Sequence, residues 1–138
     1  MQYKLPEETI MLQDTVKRFV DNELIPLETQ LPERPNSYEL PQDLYLELTG
    51  KVHEMGLTAR ETPEDAGGAG LGPLDNCIVT EQVHRSTAGC SVFSASFASM
   101  LYELGTEEQK NKYMVPSVKG EFHGSSAFSE PVAGGDMA

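Results

Sequence analysis

The feature that most constrains the fold of this chain is the period of its apolar residues. Leu12, Val16, Phe19, Val20 and Leu24 fall at i, i+4, i+7, i+8 and i+12. This is one stripe of a helical repeat of about 3.6 residues, not the alternation of a strand. Pro6 suits a first helical turn, where a missing N–H costs nothing, and Glu7 and Glu8 complement the positive end of the helix dipole. Pro26 is expected to end the run, because the residue before a proline is pushed out of the α region. Residues 31–41, with Pro32, Pro35 and Pro41 beside Asn36 and Ser37, read as a polar linker.

The same period returns four more times. Leu44, Leu48, Val52 and Met55 share one face, and Gly56 stands where a left-handed residue closes a helix. Residues 61–73 carry Gly67, Gly68, Gly70 and Gly72 between Pro63 and Pro73 and must be a loop. A third helix is expected from about Pro73, with Leu74, Ile78, Val79 and Val83 turned inward. Residues 86–99 are dense in Ser, Ala and Gly, and a fourth helix is expected over 90–104, its small side chains allowing another element or a ligand to come close. Gly105 closes it. Thr106-Glu107-Glu108-Gln109 is a capping-box pattern that opens a fifth helix, expected to reach about Met114 and stop at Pro116. Residues 122–129 form the one plausible strand. The fold class is therefore all-α, with the start of something β at the end.

Composition narrows the function. With 22 acidic against 10 basic residues in 138, the formal net charge is −12, which argues against a nucleic-acid or anionic-membrane partner. No apolar run approaches the roughly 20 residues of a membrane-spanning helix. The N-terminal residues have neither a secretory apolar core nor an Arg-rich transit bias. Cys77 and Cys90 form no CxxC pair and no disulfide framework, so a cytoplasmic location is expected. The sequence stops at Gly134-Gly135-Asp136-Met137-Ala138, inside what reads as a functional loop, and is expected to be a fragment.

Several constellations invite chemistry. Gly68 and Gly70 imitate part of a GxGxxG fingerprint, but that motif needs a preceding strand, and a helix precedes this one; a tight connecting loop is the favoured reading. His123-Gly124-Ser125-Ser126 is not a nucleophile elbow and lacks an orienting carboxylate. His53, His84 and His123 match no zinc spacing, so no metal site is expected. The pairs Glu7-Glu8, Glu64-Asp65 and Glu107-Glu108 read as helix-start charges or loop charges, and none is a credible general base. Residues 125–136 combine small side chains with a Pro/Gly turn. They fit an approaching flat ring or phosphate, with Gly134 and Gly135 forming an anion nest, and they equally fit an ordinary strand and turn.

Four segments, in order, resemble the acyl-CoA dehydrogenase family of flavoproteins. They are Gly56-Leu57 leading into residues 63–71, Glu81 in the following helix, Leu104-Gly105-Thr106-Glu107-Glu108-Gln109-Lys110, and Phe128-Ser129-Glu130-Pro131-Val132-Ala133-Gly134-Gly135-Asp136. The resemblance implies an N-terminal helical bundle over 1–120 and the first strand of a middle β-barrel domain over 121–138. The implied reaction is α,β-dehydrogenation of an acyl-CoA thioester to the 2,3-enoyl-CoA, with FAD as hydride acceptor and an electron-transfer flavoprotein as the next partner. By position, Ser126, Phe128, Ser129, Gly134 and Gly135 are implied to contact FAD, Ser129 through its hydroxyl. Val92, Ser96, Ser99 and Gly135 are implied to contact the acyl-CoA substrate. Gly135 replaces the family's signature serine and leaves only backbone N–H contacts there. The catalytic carboxylate belongs to the family's C-terminal domain, so no residue here is assigned as catalytic. A homotetramer or homodimer is implied. The resemblance also admits an acyl-CoA oxidase or flavin monooxygenase of the same fold, and the helical part alone admits a free-standing binding module. These residues by themselves are expected to be inactive and to bind FAD weakly or not at all.

Overall fold

Thr9 near the start of the first helix donates its hydroxyl to Asp75 Oδ1 at 2.7 Å, fixing how the N-terminal helix meets a helix much later in the chain. This computed structural model describes residues 4–30, 40–93, 97–121 and 131. Every element among them is helical. Helix α1 (Glu7–Phe19) passes through a π turn (Val20–Leu24) into α2 (Ile25–Gln30), and α3 (Gln42–Glu54) follows. A 3₁₀ turn (Glu64–Ala66) interrupts the loop before α4 (Pro73–Val83). Then come α5 (Gly89–Val92), α6 (Ala98–Leu104) and α7 (Glu107–Gln109), which continues through a second π turn (Lys110–Met114) into α8 (Val115–Val118).

The apolar stripe of α1 and its π turn makes the main core. Val16, Val20 and Leu24 are fully buried beside Leu48 and Val52 of α3 and Val79 of α4. Phe19 meets Phe93 edge-on, ring centres 5.7 Å apart at 72°, joining α1 to the end of α5. A second, smaller cluster collects Ala59, Ala98, Met114 and Val118, under the 3₁₀ turn, α6 and α8.

The α3 terminus follows its sequence closely. The Gly56 N–H donates to the His53 carbonyl and the Leu57 N–H to the Val52 carbonyl, at 2.8 and 3.0 Å. These are the two bonds of a Schellman motif, and Gly56 supplies the left-handed φ of +72° that the motif requires. The capping box is complete: the Gln109 N–H donates to Thr106 Oγ1 at 3.3 Å and the Thr106 N–H to Gln109 Oε1 at 2.8 Å.

Three expectations are corrected. Neither Pro26 nor Pro116 stops its helix. In each case a π turn closes on the residue before the proline: the Ile25 N–H donates to the Val20 carbonyl and the Val115 N–H to the Lys110 carbonyl. The wider i→i+5 turn shifts the ladder just ahead of the residue that lacks an N–H, so the helix continues past it. The fourth helix is not continuous over 90–104. It divides into α5 and α6, Phe93 leaving helical geometry at φ −102° and ψ 32°, so six helical rods stand among the described residues where five were expected. Finally, Leu74 is 38% exposed rather than inward, while Val79 and Val83 are buried as expected. The expected strand over 122–129 and most of the linker over 31–41 lie outside the described residues.

Candidate functional site

The glycine-rich loop decides first whether this chain carries a phosphate cradle. Its backbone donors point inward. The N–H groups of Gly67, Gly68, Ala69, Gly70 and Leu71 donate to the carbonyls of Glu64, Pro63, Ala59, Thr62 and Arg60. A nucleotide loop needs those donors free for pyrophosphate oxygens, so the connecting-loop reading holds. Gly68 is required by close approach, since a Cβ there would overlap the Thr62 carbonyl oxygen.

Asn76 fastens this loop to α4. Its Nδ2 donates to the Leu71 carbonyl at 2.8 Å and to the Gly72 carbonyl at 3.2 Å, while its Oδ1 accepts from Arg60 Nε at 2.9 Å. The Arg60 guanidinium then reaches across, Nη1 3.5 Å from the Phe93 carbonyl. The loop, α4 and the end of α5 therefore meet at one charged group.

Of the residues assigned to substrate, Val92 and Ser99 lie among the described residues. Val92, the last residue of α5, is 3% exposed and packed into the main core. Ser99 is half-buried in the first turn of α6. They bracket the break between α5 and α6. Ser96 falls outside the described residues, as do the FAD residues Ser126, Phe128, Ser129, Gly134 and Gly135. What sequence reasoning missed is the Arg60–Asn76 pair. No spacing rule joins residues in a loop and a helix, and the signal available was an Arg and an Asn flanking a glycine-rich turn.

Several other candidates have local partners or positions, and His123-Gly124-Ser125-Ser126 lies outside the described residues. His84 Nδ1 lies 2.8 Å from the Thr80 carbonyl one turn earlier. Among the described residues no group of His, Cys, Asp and Glu has the geometry to hold a metal. Glu7 and Glu8 occupy the first turn of α1, and Glu107 and Glu108 the first turn of α7. Asp65 accepts the Tyr102 hydroxyl at 3.1 Å, and that bond raises the phenol above its ordinary pKa. An open groove of about 510 Å³ runs along α4, lined by Glu61, Asn76, Cys77, Thr80, Glu81 and His84.

The glycine-rich loop does not fit an FAD pyrophosphate. The glycine loop has used its donors, and the one buried side-chain oxygen lacking a partner, Thr58 Oγ1, is a lone hydroxyl.

Comparison with known proteins gives a consistent family. The profile described as "Acyl-CoA dehydrogenase, N-terminal domain" matches residues 6–121. The chain is 34% identical to (R)-benzylsuccinyl-CoA dehydrogenase of Thauera aromatica, the match covering 100% of this chain and 37% of that protein. It is 31% identical to the mitochondrial isovaleryl-CoA dehydrogenase of Pongo abelii, over 96% of this chain and 31% of that protein. Among solved structures, an acyl-CoA dehydrogenase complexed with FAD from Bacillus anthracis superposes with a TM-score of 0.71 at 28% identity, covering 95% of this chain and 22% of that one. The chain spans about a third of the length of the two curated relatives.

Proposed function

The chain belongs to the acyl-CoA dehydrogenase family, and from that premise we propose that it supplies the N-terminal helical part of a flavoenzyme that oxidises an acyl-CoA thioester to the 2,3-enoyl-CoA. The observation that carries this reading is the match of the family profile to residues 6–121, where every described element is helical. In this reading the helical domain occupies 1–120 and a β-domain begins within 121–138.

FAD, when bound, would supply the hydride-accepting chemistry for the β-hydrogen of the thioester. Ser126, Phe128, Ser129, Gly134 and Gly135 are the residues proposed to hold it, with Ser129 offering a hydroxyl to the ring and Gly135 a backbone N–H. The base that removes the α-proton is a carboxylate from the C-terminal part of the family fold, and none of the residues described here takes that role. These helices orient the acyl chain and exclude water from the reacting bond. Ser96 and Ser99 are proposed as the small side chains that leave room for the acyl end, with buried Val92 as the wall behind them. Cys77 and Cys90 are both free and exposed, which supports a reducing, cytoplasmic location. An electron-transfer flavoprotein as electron acceptor and a homo-oligomeric assembly complete the proposal.

The test uses the full-length enzyme and a panel of acyl-CoA thioesters. Anaerobic bleaching of its flavin with formation of the 2,3-enoyl-CoA is the expected result. An FAD-loaded enzyme that converts none of the panel refutes the reading. Rapid reoxidation of the reduced flavin by molecular oxygen would replace dehydrogenase by oxidase within the same fold.

A further inference from the structure

We draw no further inference here: the strongest candidate, the open groove along α4 with Glu61 and Glu81 beside the exposed thiol of Cys77, offers two carboxylates and a lone cysteine, and nothing in the structure shows what covers it.

Discussion

Gly68 and Gly72 lie four residues apart in one loop, yet they answer to different physics. At Gly68 a Cβ would overlap the Thr62 carbonyl oxygen and crowd the Ala59 carbonyl, both of which accept loop N–H groups. Gly68→Ala must displace backbone rather than a flexible side chain, at a cost of about 2–3 kcal/mol. Gly72 has open space around its Cβ position and an ordinary φ of −71°. Gly72→Ala is expected to be neutral or to stabilise by about 0.5 kcal/mol, through a less flexible unfolded chain. Urea unfolding of the two variants should separate them by about 2 kcal/mol or more; equal midpoints would mean that the loop does not close as described. Glu28 offers a pH test at the same scale. Its Oε1 accepts the Thr87 N–H at 2.8 Å, and that bond, first among its influences, holds the carboxyl below its ordinary pKa. A depressed folded pKa means that the contribution is present above the unfolded carboxylate pKa and is lost as pH falls through the folded one. Because Glu28 is exposed, solvent screening limits the contribution to about 0.5 kcal/mol. Glu28→Gln should lower Tm by about 1–2 °C at pH 7, and the difference should vanish once the pH drops below the carboxylate range.

Individual elements show which parts of the fold a linear reading captures. The capping box at Thr106 and the Schellman closure at Gly56 are written within four to six adjacent residues, and both are found with their expected bonds. Thr106→Ala removes the acceptor for the Gln109 N–H and should destabilise by about 1 kcal/mol, read as a Tm lowered by roughly 3 °C. An unchanged Tm would show that α7 is held by α8 and its packing instead. The two prolines were legible as signals but not as outcomes. A proline rule describes a regular α ladder, and at Pro26 and Pro116 the ladder has already shifted by one residue in a π turn. The division of α5 from α6 was hidden for another reason. Small residues give no apolar period to break, and the partners that hold Phe93, namely Phe19 and Arg60, are distant in sequence. The candidate site was legible only as motif resemblance, because the Arg60–Asn76 junction has no local signature.

At the scale of the whole molecule, the described residues hold a folded core. Its main cluster, from Val16 through Phe93, joins α1, α3, α4 and α5 around fully buried side chains, which is what independent helical folding requires. Its chemistry is differently placed. The one glycine-rich loop among the described residues uses its N–H groups internally, and the acidic pairs sit at helix starts rather than converging. The loop's N–H groups are therefore not open to a phosphate oxygen. Separate folding and function make a direct prediction. The isolated 138-residue chain should purify with a helical circular dichroism spectrum and a cooperative thermal transition, but colourless, and should release no enoyl-CoA from any thioester. The full-length enzyme should be yellow and active under the same conditions. Titrating FAD into the isolated chain gives the sharper reading. Unchanged flavin fluorescence and an unmoved Tm are expected, because a ligand that binds the native state raises Tm by mass action. A saturable rise in Tm with FAD would place a flavin site within these residues and overturn the division between a folding core and a site completed elsewhere.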